Sequence, residues 1–127
     1  MLETAGAILS FDAFYGDDHG PNVPASFTIR LYDVDDVELD NATNAPGYAA
    51  LSGVTNNSTN FPPADVDGSK TSAEITVCTA TGTWDAAPAW VGVCDGATRL
   101  ERVPYSSGGV PVAGKPVTVT LELGYEG

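Results

Sequence analysis

Residues 115–123 read KPVTVTLEL, and this stretch decides the fold class. Valine and leucine occupy every second position from Val117 to Leu123, which puts all four on one side of an extended chain. The other side carries threonine and glutamate. The pattern predicts a β-strand with one face on a hydrophobic core and the other face in solvent.

The same period of two recurs upstream. Residues 26–32 (SFTIRLY) place Phe27, Ile29 and Leu31 on one face, and residues 73–78 (AEITVC) alternate in the same way. Further strands are predicted at 48–55, 90–94 and 98–103, with a short edge segment at 37–39. Glycine and proline, 14 and 9 of the 127 residues, supply frequent turns between these short strands. Together they predict an all-β fold, an antiparallel β-sandwich of jelly-roll-like type, with a small barrel as the alternative.

The chain is long enough for one domain with one core. Residues 1–24 are predicted to form a short N-terminal helix or an extended arm, because their apolar residues approximate helical spacing before the breaker sequence at 16–21. Residues 25–127 are then the β-sandwich domain.

The two cysteines allow two interpretations. If residues 90–94 return on residues 73–78 as a hairpin that turns near residue 86, Cys78 faces Cys94 across the strands. The pair is then either a disulfide or two free thiols. A cytoplasmic origin keeps thiols reduced and favours the free form.

Charge restricts the partners. The chain has 17 acidic residues against five basic ones, a formal net charge of −12. Such a chain repels nucleic-acid phosphates and anionic lipids, so we expect neither nucleic acid nor a membrane as partner. No apolar stretch is as long as a membrane-spanning helix, and the first residues lack a secretory signal, so the chain is expected to act where it is made or to leave the cell by another route. The acidic surface favours solubility, and contact with a basic partner is the alternative.

No residue of the sequence is predicted to be catalytic. The sequence contains no nucleophile elbow, phosphate-binding loop or zinc-protease motif, and its single histidine, His19, lies in a predicted loop. The acidic run at 33–40 (DVDDVELD) lacks the spacing of a calcium-binding loop and is predicted to be a solvated loop. The sequence therefore predicts no catalytic, cofactor-binding or metal-binding residues.

The three large aromatic residues Tyr48, Trp84 and Trp90 are expected to pack in the core or on a sheet, with a sugar-stacking platform as the alternative.

Several segments carry a resemblance to a known family. They are GYA at 47–49, NFP at 60–62, GSKTSA at 68–73, ITV at 75–77, ATGTW at 80–84, GVCD at 92–95 and the strand at 117–123. In these segments the chain resembles small virion proteins of tailed bacteriophages, of the tail-fibre-like or minor structural kind. It departs from them at Ala49, where a basic residue often stands, and at Cys78 and Cys94, where aromatic residues are usual.

The resemblance implies a non-enzymatic phage structural protein. A capsid decoration (cement) protein is the first choice: a homo-oligomer, with a trimer favoured, that is made in the bacterial cytoplasm and binds the major capsid protein on the outer surface of the head. The alternatives are a component of the tail, neck or fibre that binds tail proteins, and a carbohydrate-binding, adhesin-like module.

Overall fold

The protein is all-β over the described residues, which are 15–16, 23–63, 71–106 and 109–123 of a computed structural model. Its strands are β1 (Ser26–Tyr32), β2 (Leu51–Thr55), β3 (Ile75–Thr79), β4 (Trp90–Asp95), β5 (Thr98–Pro104) and β6 (Pro116–Val119). Each lies within, or within one residue of, a stretch that the sequence predicted to be a strand. The predicted N-terminal helix or arm at 1–24 falls almost wholly outside the described residues, as does His19.

The strands form two antiparallel sheets. One has four strands in the order β2-β1-β4-β5, and the other pairs β3 with β6. Alternate residues of both sheets enter one cluster of buried side chains. Val117, Val119, Leu121 and Leu123 are all at most 2% exposed, which confirms the predicted face although the strand itself ends at Val119.

The predicted hairpin between residues 73–78 and 90–94 is wrong. β3 pairs with β6, so Cys78 lies opposite Val117, whereas Cys94 in β4 lies opposite Thr28 and Arg99. Residues 80–89 do not turn back, because their backbone is bonded to other loops: Ala80 N–H donates to the Lys115 carbonyl. The two cysteines are thus in different sheets, and both are free thiols.

Two other predicted stretches are shorter than expected. The strand predicted at 48–55 begins only at Leu51, because Tyr48 ends a turn in which its N–H donates to the Ala45 carbonyl. The edge segment predicted at 37–39 is a single bridge between Tyr32 and Glu38. β4 already occupies the other edge of β1 at Tyr32, so this bridge continues the edge of β1 that pairs with β2.

Residue Tyr15 ties the chain before β1 to the core. Its ring is 2% exposed and lies 5.5 Å from the ring of Phe27 and 5.1 Å from that of Phe61, centroid to centroid. Its hydroxyl donates to Glu101 on β5 over 2.7 Å. Aromatic groups of this size contribute strongly to burial, so residue 15 belongs to the same core as the strands.

β5 is the edge strand of the four-stranded sheet. Its register with β4 shifts at the step from Val93 to Cys94, it carries three charged side chains, and it ends in Pro104, which lacks an N–H group. A bulge, charges and a proline are the features by which natural sheets protect an edge from pairing with another strand.

Candidate functional surface

Three ion pairs and two cation–π contacts lie on the outer face of the four-stranded sheet. Phe27, Ile29 and Leu31 of β1 and Val91 and Val93 of β4 point into the core. Alternation turns their neighbours outward, and pairing with β4 places two β5 side chains beside them. We call these outward residues, with the loop that crosses them, the braced face; its members are Arg30, Tyr32, Asp36, Glu38, Trp90, Gly92, Cys94, Arg99 and Arg102.

The loop at 33–40 follows β1 and is closed by Asp33. The carbonyl of Asp33 accepts from Asp36 N–H at 3.0 Å, and its own N–H donates to the Val37 carbonyl at 2.9 Å. Its side-chain oxygen Oδ1 accepts two more backbone bonds, from Asp35 at 2.9 Å and from Val37 at 3.0 Å. Asp36 takes a positive φ of 63°, a conformation that aspartate tolerates better than most residues. The turn is therefore held by four hydrogen bonds, all of which involve Asp33.

Two arginines of β5 hold this turn against the sheet. Arg99 donates from Nη1 and Nη2 to the two carboxylate oxygens of Asp36 over 2.7 and 2.8 Å, a bidentate pair. Arg102 Nη1 lies 3.4 Å from the same carboxylate. The Arg99 guanidinium, and after it that of Arg102, lowers the pKa of Asp36 from 3.8 to about 2. The carboxylate is therefore ionised throughout the physiological range.

The third arginine fixes the far end of the loop. Arg30 Nη1 donates to Glu38 at 3.1 and 3.3 Å, and its Nη2 donates to the Gly96 carbonyl at 3.0 Å. Glu38 also accepts from the Tyr48 hydroxyl at 2.6 Å, and that hydroxyl accepts from Leu31 N–H at 3.1 Å. Burial, followed by the bond to Glu38, raises the pKa of the Tyr48 phenol well above its ordinary value of 10. The contacts link the loop to β1 and to the residues before β2.

Tyr32 covers the middle of the sheet. Its ring lies across Gly92, where an added Cβ would come within 2.5 Å of Tyr32 Cε2. Its hydroxyl is 3.7 Å from the sulfur of Cys94, which is completely buried, and the Arg99 guanidinium lies 4.8 Å above the ring centroid. Burial and the contact with Cys94 raise the pKa of Tyr32 to about 12. Because residue 92 is glycine, the Tyr32 ring can lie against the sheet and cover the thiol of Cys94.

The aromatic residues singled out in the sequence do not form one exposed platform. Trp84 and Tyr48 are 2% and 8% exposed, and their rings pack edge to face at 6.2 Å in the core. Trp90 lies on the braced face, where the Arg102 guanidinium lies 3.9 Å over its ring. Core and sheet packing, the first interpretation of these residues, therefore describes all three.

The acidic run at 33–40 is an anchored loop rather than a simply solvated one. Asp36 and Glu38 bind arginines, whereas Asp33 and Asp40 accept backbone N–H groups. Within the described ranges, no three His, Cys, Asp or Glu residues gather closely enough to hold a metal ion. Sequence reasoning missed the three arginines as a set. One indication was present in the sequence: alternation in β1 places Arg30 on the outer face of its strand.

Cys78 lies apart from this surface. It is half-buried against the core, and burial raises the pKa of its thiol, although a hydrogen bond from the backbone at Ala49 acts in the opposite direction. A raised pKa keeps the sulfur protonated and weakly nucleophilic at neutral pH.

The described part of the chain contains no helix that is long and apolar enough to span a membrane. Comparisons with protein-family models, with curated proteins and with solved structures each find no match for this chain.

Proposed function

We propose that this chain is a non-enzymatic virion structural protein, a capsid decoration protein that binds the assembled head shell of a tailed bacteriophage and stabilises it. The proposal joins the resemblance in the segments from residue 47 onward to the construction of the braced face. It includes the finer fold, a jelly-roll-like sandwich of the two sheets, and a homo-oligomeric state with a trimer favoured.

One observation carries the proposal. The chain contains three arginines, and all three are used to fix the single loop at 33–40 onto the outer face of the sheet. Ion pairs at a protein surface contribute little free energy individually, but a network that includes a bidentate pair defines geometry. A surface with a fixed shape is what a protein that docks on a repeating shell requires, since a preorganised surface loses less entropy on binding.

Charge supports a basic partner. The formal net charge is −12, and within the braced face the arginines are already paired with Asp36 and Glu38. Other acidic side chains, such as those of Asp35 and Asp95, are exposed. Complementary potentials steer association and select partners, so we expect the shell protein to present lysine and arginine around the docking position.

The test combines two measurements on the full chain. Light scattering gives the mass of the purified protein, and co-sedimentation measures its binding to empty heads assembled from the major capsid protein encoded in the same genome. We expect a defined homo-oligomer that sediments with heads at low ionic strength and less at high ionic strength. Unassembled capsid protein, which lacks the shell geometry, is the matched control and should bind less.

If the chain is monomeric and does not sediment with heads, the decoration role is wrong. Binding to isolated tails would then assign it to the tail or neck, and binding to a glycan array would assign it to carbohydrate recognition. In the glycan case Trp90, which is only partly buried, is the residue to mutate first, since Tyr48 and Trp84 are buried.

A further inference from the structure

Large apolar side chains are exposed at only a few described positions, and three of them lie within two residues of one ion pair in sequence. Val34 is 80% exposed, Val37 58% and Leu100 41%. Val37 and Leu100 are the immediate sequence neighbours of Asp36 and Arg99, the two members of the bidentate pair. The other two, Val110 and Val112, are 45% and 43% exposed and lie in the loop before β6.

The loop presents its valines in a fixed arrangement. Val34 stands within the turn that the Asp33 carbonyl closes with Asp36 N–H, and the backbone of Val37 is bonded to Asp33 through both its N–H and its carbonyl. The side chain of Asp36 is held by Arg99. An apolar side chain on such a turn loses little conformational freedom when it is covered, so most of its burial contributes to affinity.

The charges around the two valines decide what can cover them. Asp33 and Asp35 flank Val34, and the carboxylate of Asp35 is exposed and has no cation beside it among the described residues. A second copy of this chain docked tip to tip would bring the same acidic turn to this contact, so a homo-oligomer would have to form through another surface. Like charges facing each other oppose association, whereas a basic rim is attracted. The occupant that fits is a different protein with an apolar recess surrounded by lysine or arginine.

We propose that the tip of the loop, Val34 and Val37, is the point at which this protein docks on the shell, with both side chains entering an apolar recess of the capsid protein that has a basic rim. This inference rests on the proposed function, because it identifies the partner with the assembled head. Apolar anchors that are fully covered in an interface commonly dominate its affinity, and the charged groups around them set specificity and rate.

The experiment compares two paired variants with the unchanged chain in the co-sedimentation assay with empty heads. Val34→Ser with Val37→Ser removes the apolar tip, and Val110→Ser with Val112→Ser is the control, since these two valines are also exposed, although less so, and lie in another loop. All four side chains are exposed, so both variants should keep the fold, which amide hydrogen exchange verifies. We expect the tip variant to bind heads at least tenfold more weakly and the control variant to bind within about twofold of the unchanged chain.

The outcomes separate this inference from the function on which it rests. If the unchanged chain binds heads and the tip variant binds equally well, the docking point is wrong but the decoration role stands. If the tip variant has a different solution mass from the unchanged chain, the valines hold copies of this chain together, and the inference is overturned. If the unchanged chain does not bind heads, both proposals fail.

Discussion

Arg99 binds Asp36 with both of its terminal nitrogens while its guanidinium lies 4.8 Å over the ring of Tyr32. One side chain therefore fixes a loop on one side and an aromatic cover on the other. Because the carboxylate is bound, the turn cannot leave the sheet without exposing an unpaired arginine. The contacts of the braced face can therefore be tested on the isolated protein, without a partner.

Acid should loosen the loop at 33–40. The arginine contacts lower the pKa of Asp36 from 3.8 to about 2. A lowered folded pKa means that the stabilisation is present above about pH 4, the unfolded value, and is lost as the pH falls through about 2. The protection factors of the Asp35 and Val37 amides, which are their exchange rates relative to the intrinsic rate at the same pH, should fall over this window. Asp36→Asn, which keeps a residue that tolerates a positive φ, should show low protection at every pH, whereas Asp85→Asn in another loop should behave like the unchanged chain.

A methyl group at position 92 should displace Tyr32. The added Cβ would meet Tyr32 Cε2 at 2.5 Å and Arg99 Cδ at 3.1 Å, and overpacking of this kind costs about 1–3 kcal/mol. We expect Gly92→Ala to lower the free energy of unfolding in a denaturant titration and to expose the Cys94 thiol to a thiol reagent. Gly109→Ala has open space around it and should change neither property. Equal stability of the two variants would contradict the packing of Tyr32 on Gly92.

Alanine substitutions at Gly47 and Gly114 distinguish the cost of backbone strain from the cost of a steric clash. Both have a positive φ, of 89° and 81°, so alanine is strained at either position by about 1–2 kcal/mol. At Gly47 a Cβ would also lie 2.5 Å from the Thr79 carbonyl oxygen and 2.7 Å from Thr81 N, whereas at Gly114 it meets nothing within 4 Å. Thermal unfolding should show Gly47→Ala much less stable than Gly114→Ala, and a similar loss in both would argue against the close approach of residue 47 to the end of β3.

The two thiols should react at different rates. Cys78 is half-buried, and Cys94 is completely buried beneath Tyr32. In the folded protein we expect a thiol reagent to modify Cys78 slowly and Cys94 only after unfolding, with two thiols counted in denaturant. Since the cysteines are in different sheets, a reducing agent should leave the melting temperature unchanged. A shift of the melting temperature under reduction would contradict the pairing of β3 with β6.

The sequence predicted the strands better than their partners. Alternation identified β1, β3 and the buried face of residues 117–123, because a half-buried strand must place apolar residues at every second position. It could not choose the partner of β3. Two strands separated by a short connection suggest a hairpin, but Trp84 is buried within this connection and its indole donates to the Pro46 carbonyl at 2.8 Å. This long-range contact fixes the connection between β3 and β4, which lie in different sheets, so that the two strands do not pair.

Only part of the braced face could be predicted from the sequence. The acidic run at 33–40 was recognised and expected to be solvated, but the arginines that bind Asp36 come from β5, more than sixty residues away, so no local pattern joins them. The placement of Arg99 beside Cys94 depends on a register shift in β5, which periodicity does not predict. Long-range pairing and bulges are thus the two features that sequence reasoning lacked.

The protected edge of β5 has a consequence for assembly. With an irregular register, charged side chains and a terminal proline, this strand is a poor template for another chain's backbone. The four-stranded sheet therefore cannot easily grow by adding strands at this side. Many copies crowded at high local density can then remain separate folded units, and contacts at this edge would be made through side chains, which allow an exact stoichiometry instead of open-ended fibrils.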